Sequence, residues 1–201
     1  MSLILLASSN PGKLHEIQAI MSGTDWKLVT PDQMGLDIEV EESGITYAEN
    51  AALKARAYAE VSQILTLADD SGLEVDVLGG LPGIKSARFS AKEGATDADR
   101  RDYLLARLHD YQRPWLAKFH CIVALARPVG KMYFSSGDCW GEIIPEERGE
   151  GGFGYDPIFL IPELGRTMAE LTMEEKNQLS HRARAIKAAF PILTNLIATE
   201  S

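Results

Sequence analysis

The chain has 201 residues, 45% of them hydrophobic, enough to bury a proper core in one large domain or in two lobes sharing a core. Its 20 basic against 29 acidic residues give a formal charge of -9, which argues against nucleic-acid polymers but leaves room for a small anion in a local basic pocket. Cys121 and Cys139 are too few for a disulfide scaffold and sit in no metal-ligand spacing, so a reducing compartment is expected.

Leu3 to Ala7 is a continuous apolar run, which predicts a central strand covered on both faces. It lacks a basic leading segment and runs straight into a helix signal, so it reads as a strand and not as a signal peptide. Asn10-Pro11 supplies an N-cap and a proline at the first helical position, and Leu14, Ile17, Ile20 and Met21 give a helical stripe. Asp37 to Glu42 reads as an extended segment ending at Ser43-Gly44. Thr46 with Glu49 forms a capping box opening an alanine-rich helix from about Tyr47 to Gln63.

Ile64 to Ala68 predicts a second buried strand, broken by Asp69-Asp70-Ser71-Gly72. Leu73, Val75 and Val77 then alternate with acids, as in a half-exposed strand. Gly79 to Gly83 is a turn. Thr96 caps a helix through Leu108, with Tyr103, Leu104 and Leu108 facing inward. Phe119 to Ala126 and Met132 to Ser136 read as a hairpin, and Trp140 to Ile144 as a further strand. Gly149 to Gly154 is too rich in glycine for a regular element, and a strand resumes over Ile158 to Ile161. Thr172 with Glu175 is another capping box, and the segment from Ser180 is helical with a kink at Pro191. No stretch approaches the length of a membrane span, so a soluble, cytoplasmic protein is expected. Alternating strands and helices give an α/β domain around a mixed sheet.

Four stretches place phosphate-handling or metal-handling side chains at breaks between elements. Ser8-Ser9-Asn10-Pro11-Gly12-Lys13 lies where a strand hands over to a helix, so loop N–H groups and the positive helix end can hold an anion, with Lys13 adding charge. Taken alone it reads first as a plain helix cap at Asn10 with a solvated Lys13. Asp69-Asp70 falls at the C-terminal end of an apolar strand, the usual address of α/β active sites. Neighbours in an extended chain point in opposite directions, which gives the two carboxylates different tasks.

Glu41-Glu42 offers further carboxylates, and magnesium is satisfied by one or two of them plus waters and phosphates. Lys54 matters if Asn50, one turn earlier on the same helix face, looks into the same site. In Gly151-Gly152-Phe153-Gly154-Tyr155-Asp156-Pro157, glycines on both sides of Phe153 leave a mobile loop with one large aromatic, suited to stacking on a base. Ser180-His181-Arg182 starts the last helix with donors for a base carbonyl or a phosphate, and Lys176 lies just before it.

Together with Glu49-Asn50-Ala51 and Pro82-Gly83-Ile84-x-Ser86-Ala87-Arg88, these motifs closely resemble the inosine triphosphate pyrophosphatase family, over residue 3 to about residue 190 and in the family's order. The resemblance implies an α/β fold with an elongated mixed β-sheet flanked by helices, forming two lobes around a central active-site cleft in a single domain. It implies a homodimeric, magnesium-dependent hydrolase that cuts non-standard purine nucleoside triphosphates (ITP, dITP, XTP) between the α- and β-phosphates. By position, Ser8, Ser9, Asn10, Pro11, Gly12 and Lys13 would hold phosphates, Glu41 and Asp70 would bind Mg2+, and Asp70 would accept the proton of the attacking water. Ser71 would contact substrate, and Phe153, Gly154, Tyr155, Asp156, Lys176, His181 and Arg182 would form the base and phosphate pocket.

Two other classes compete. An aspartyl-nucleophile phosphatase of the haloacid dehalogenase type wants a second acid two residues after the nucleophile, where this chain has Ser71 or Gly72. A non-catalytic nucleotide sensor would have no need of paired metal carboxylates beside a phosphate loop.

Overall fold

The computed structural model describes residues 3–198. Its strands are β1 (Leu3–Leu6), β2 (Lys27–Val29), β3 (Leu65–Val75), β4 (Trp115–Ala126), β5 (Tyr133–Ile143), β6 (Phe159–Ile161) and β7 (Arg166–Thr167). The helices are α1 (Pro11–Ile20), α2 (Tyr47–Ser62), α3 (Asp97–Leu108), α4 (Met173–Leu179) and α5 (His181–Ala198). The strands form one seven-stranded mixed sheet in the order β2-β1-β3-β4-β5-β6-β7. β1 runs parallel to β2 and β3, and β6 runs antiparallel to β5 and β7.

The chain divides into two compact units. The first comprises residues up to Asp70, Cys121–Gly137 and the chain from His181 on; the second comprises Ser71–His120 and Asp138–Ser180. In the first, β1 is buried on both faces, as its apolar run requires. Ile4 and Leu6 pack with Ile17 of α1 and Ile186 and Leu193 of α5. Leu5 and Ala7 meet Ala51, Ala55 and Ala59 of α2, whose small side chains let helix and sheet approach closely. In the second unit, Leu73, Val75, Leu104, Leu108, Phe119 and Phe159 form the core, the two phenyl rings 4.5 Å apart.

The helix signals hold. Asn10 Oδ1 accepts the Lys13 N–H at 3.0 Å, and Thr46–Glu49 and Thr172–Glu175 form reciprocal capping boxes. Thr96 forms one too, with Asp99 in the place usually taken by Glu or Gln. α2 ends at Gln63, which adopts a left-handed conformation with φ 59°.

Four expectations change. β3 is not broken at Asp69-Asp70-Ser71-Gly72 but runs through it for 11 residues, because the buried carboxylates find cations and amides on neighbouring elements. Val77 falls in a 3-10 turn after β3 and not in a strand. Trp140 to Ile143 is the end of β5, which passes through Gly137 and Asp138 without interruption. Asp37 to Glu42 joins no strand; it is held by the Tyr58 hydroxyl donating to the Ile38 carbonyl at 3.2 Å and by Ile38 and Val40 packing on the α2 face of the core. Among the described residues no helix is long and apolar enough to cross a membrane.

Candidate active site

The first unit concentrates charge beyond the C-terminal end of β1 and at the middle of β3, which the parallel register Leu6↔Leu67 brings side by side. The loop from Ser8 follows β1 at once, with the Asn10 N–H donating to Ser8 Oγ at 3.2 Å and α1 starting at Pro11. Ser9, Asn10 and Pro11 are exposed, as an anion-binding helix start must be. Lys13, in the first turn of α1, places Nζ 3.1 Å from Asp69 Oδ2.

Asp69 is 1% exposed. Burial acts to raise its pKa, but the Lys13, Arg182 and Lys54 charges outweigh burial and hold the carboxyl well below the usual range. Arg182, in the first turn of α5 and equally buried, donates from Nε to Asp69 Oδ2 at 3.2 Å and pairs through Nη1 with Glu16 of α1. Burial opposes the guanidinium charge, and Asp69 and Glu16 reverse that effect. Cys121 Sγ lies 3.9 Å from Asp69 Oδ2, its thiol pushed far up by burial and by the Asp69 charge, so it stays a neutral wall of the site.

Asp70 meets different groups. Asn50 Nδ2 donates to its Oδ2 at 3.3 Å, and the same amide accepts the Gly44 N–H through Oδ1 at 2.9 Å, which fixes which way the amide faces. Lys54 Nζ lies 3.8 Å from Asp70 Oδ1 and 2.7 Å from Glu42 Oε1. Burial raises the Asp70 pKa, the nearby Glu42 adds to the rise, and Lys54, Lys13 and the Asn50 hydrogen bond only partly offset it. The spacing argument for Asn50 and Lys54 on one face of α2 is met. Of the acidic pair, Glu42 is the one tied to this cluster through Lys54; Glu41 is exposed.

The cluster counts Glu16, Glu42, Asp69 and Asp70 against Lys13, Lys54 and Arg182, one carboxylate in excess. A divalent cation fits that excess, and no group of three or more His, Cys, Asp or Glu among the described residues is arranged to hold one alone. Magnesium's demand for one or two carboxylates completed by water and phosphate matches such a donor set.

The second unit holds the Phe153 loop. Asp156 Oδ2 accepts the Phe153 N–H at 2.9 Å and pairs with Lys176 Nζ at 2.6 Å, and Lys176 Nζ stands 5.3 Å from the centre of the Phe153 ring. Gly152 has φ +72°, and a Cβ there would lie 2.0 Å from Asp156 Oδ2, so both backbone and space demand glycine. The Tyr155 hydroxyl donates to the Ser86 carbonyl at 2.9 Å, and the Gly151 N–H to the Ala169 carbonyl at 3.0 Å. The glycine-rich segment expected to be mobile is tethered at each of these points.

The proposed residues thus fall into two groups. Ser8 to Lys13, Glu41, Asp70, His181 and Arg182 belong to the first unit; Ser71, Phe153 to Asp156 and Lys176 belong to the second. His181 is buried at the start of α5, and Ser71 is half-buried on β3. Reading the sequence missed Glu16, a charged residue beside the apolar stripe of α1, and Asp97 and Arg101 of α3. Only the break in polarity beside Ile17 hinted at the first, and nothing marked the other two.

Residues 4–192 match the model of the Ham1 family. A dITP/XTP pyrophosphatase of Desulforamulus reducens is 45% identical over 194 residues, 96% of each chain. One from Escherichia coli O157:H7 is 45% identical, covering 97% of this chain and all of that one. Among solved structures, a HAM1 protein from Coxiella burnetii superposes with TM-score 0.86 at 39% identity, covering 97% of this chain and all of that one. The Staphylococcus aureus Ham1 protein gives 0.82 at 38% identity over the whole of both chains. With the sheet order, the paired aspartates and the glycine-flanked Phe153 in place, the chain belongs to the Ham1 family.

Proposed function

We propose that the protein is a nucleoside triphosphate pyrophosphatase that hydrolyses non-standard purine nucleoside triphosphates (ITP, dITP and XTP) to the monophosphate and pyrophosphate. The observation that carries this reading is the split between two adjacent carboxylates. Asp69 is paired with Lys13 and Arg182 at 3.1 and 3.2 Å, whereas Asp70 accepts from the Asn50 amide at 3.3 Å and has Lys54 no nearer than 3.8 Å. A carboxylate less tightly paired with cations can take a proton from water, and one paired closely with them can hold the groups that meet phosphate.

In this reading the exposed loop Ser8 to Lys13 takes the phosphate chain through its N–H groups, and Lys13 and Lys54 offset the phosphate charge. Asp70 orients the attacking water through one oxygen and accepts its proton, while Asn50 fixes the rotamer of the carboxylate. Asp70 would hold a magnesium ion, with Glu41 as its second carboxylate by family resemblance alone, and the ion would supply charge neutralisation on the phosphates and lower the pKa of water. Phe153 stacks on the purine, Ser71 contacts the substrate, and Asp156 and Lys176 set the ring's position. His181 and the N–H groups opening α5 face a 6-keto edge as donors. Arg182 serves that pocket by fixing the first turn of α5, since its guanidinium is engaged by Asp69 and Glu16.

A cytoplasmic homodimer belongs to the same reading. It is supported by the family resemblance and by Leu116 and Trp140, strand residues of the second unit that stay 50% and 58% exposed. Sedimentation of the purified protein tests it: a monomer at micromolar concentration removes the dimer. The activity is tested by turnover of ITP, dITP, XTP, ATP and GTP with separate detection of pyrophosphate and orthophosphate. Pyrophosphate and IMP from ITP, with magnesium required, are expected. Orthophosphate with IDP would sink the proposal, and a trapped phosphoenzyme would replace it with aspartyl-nucleophile chemistry.

A further inference from the structure

The backbone around Phe153 is held by more than its own loop. The Phe153 N–H donates to Asp156 Oδ2 at 2.9 Å, and the Phe153 carbonyl accepts the Asp156 N–H at 3.2 Å. The next residue, Gly154, is gripped from α3. Its N–H donates to Asp97 Oδ2 at 2.8 Å, and its carbonyl accepts from Arg101 Nη1 at 2.9 Å. Arg101 also forks onto Glu147, at 2.6 and 2.9 Å, where the chain enters the glycine-rich segment. Arg100 pairs with the other oxygen of Asp97. The first turn of α3 is itself fixed by the Thr96–Asp99 capping box.

These ties matter because of where they converge. Gly154 has φ +62° with no atom within 4 Å of a hypothetical Cβ, so no packing on that side restricts it. A free glycine on each side would let the phenyl ring sample many orientations, and any ligand stacking on it would have to order the loop first. Carboxylates from two separate elements instead take the two successive N–H groups at Phe153 and Gly154. The Arg101 side chain is 12% exposed, so its bond to the Gly154 carbonyl is partly shielded from water, while the Glu147 carboxylate it also holds is 42% exposed.

We propose that Asp97 and Arg101 are positioning residues for base recognition: by clamping the Gly154 peptide they hold the Phe153 ring ready for a purine. The proposal rests on Phe153 being the stacking platform, and its test separates the two. Asp97→Ala and Arg101→Met are made in the full chain, checked by thermal melting, and titrated calorimetrically with IMP and, separately, with inorganic pyrophosphate. Each loses a hydrogen bond with a charged partner, for which about a tenfold effect is expected. IMP should bind about tenfold more weakly, KM for ITP should rise likewise with kcat nearly kept, and pyrophosphate affinity should not change. Asp97→Asn keeps an acceptor for the Gly154 N–H and should recover most of the IMP affinity.

Unchanged IMP affinity in both variants overturns the clamp, and so does equal weakening of IMP and pyrophosphate, which would mark a general structural defect. Phe153→Ala is the control. If it weakens IMP while the α3 variants do not, only the clamp is lost; if it leaves IMP binding intact, the stacking platform is lost and the clamp with it.

Discussion

Asp69 and Asp70 are neighbours on β3, yet Lys13 Nζ sits 3.1 Å from an oxygen of the first while Asn50 Nδ2 meets the second at 3.3 Å. Alternation along the strand sends the two carboxylates to different sides, and the elements waiting there differ in charge. α1 and α5 bring Lys13 and Arg182 to Asp69, whereas α2 brings Asn50 and a shared Lys54 to Asp70. In the proposed mechanism one residue is the anchor and the other the reagent.

Substitution should separate those tasks. Asp70→Asn should lower kcat for ITP by ~10²–10⁴, the span of a general base, with little change in melting temperature. Asp69→Asn leaves Lys13 and Arg182 short of a buried partner and should cost about 3–5 kcal/mol of stability, the usual penalty for breaking a buried pair. Single-turnover rates and denaturant melts of both variants decide it. An Asp70→Asn enzyme at full speed would take Asp70 out of the mechanism.

Arg182→Ala would take a buried cationic partner from both Glu16 and Asp69 in the first unit. The expected result is a loss of stability of the same order, about 3–5 kcal/mol, visible as a lower melting temperature. Glu16→Gln keeps an acceptor for the guanidinium and should cost less. The sequence motif alone suggests that Arg182 reads the purine 6-keto edge, in which case the variant would lose its preference for ITP over ATP. A variant that melts like wild type but has lost that preference would return Arg182 to the base.

Gly152 should not be replaceable without cost to the loop. Alanine there adds a Cβ 2.0 Å from Asp156 Oδ2 to a backbone already at φ +72°. The carboxylate must leave Lys176 or the loop must move, at a cost of roughly 1–3 kcal/mol, and KM for ITP should rise. Gly165→Ala is the comparison, since φ is +61° there but no atom lies within 4 Å. It should cost about 1 kcal/mol and leave KM alone. Equal kinetics in the two variants would show that the Asp156–Lys176 contact does not set substrate affinity.

Much of the fold was legible because its signals are local. Asn10-Pro11, Thr46-Glu49 and Thr172-Glu175 mark helix starts by hydrogen bonds within a few residues, and the apolar runs of β1 and β3 need only burial. What escaped depends on distant partners. Asp-Asp-Ser-Gly reads as a turn by composition, and it stays a strand because Lys13, Lys54 and Arg182 arrive from three helices far apart in sequence. Gly137 likewise suggests a break, but it serves close packing: a Cβ there would lie 2.3 Å from the His181 carbonyl. Glu16, Asp97 and Arg101 look like ordinary helix-surface charges until their partners are known. The pairing of Asn50 with Lys54 was readable, since helical spacing alone puts them on one face.

Asp97 also gives a pH dependence whose direction follows from its surroundings. Burial by itself would raise its pKa, but the hydrogen bonds from Arg100 and the Gly154 N–H, with the charges of Arg100 and Arg101, bring it below the ordinary value of 3.8. A carboxyl depressed in the folded state stabilises fully above its unfolded pKa and loses that contribution as pH falls through the folded value. Wild type should therefore exceed Asp97→Asn in stability by a constant margin from about pH 5 to 8, and the margin should narrow below about pH 4 as the carboxyl protonates. Urea midpoints measured in parallel at pH 7, 5, 4 and 3.5 give the comparison. A margin that widens toward pH 3.5, or that is absent at pH 7, would mean that the ionised carboxylate is not what holds Gly154 to α3.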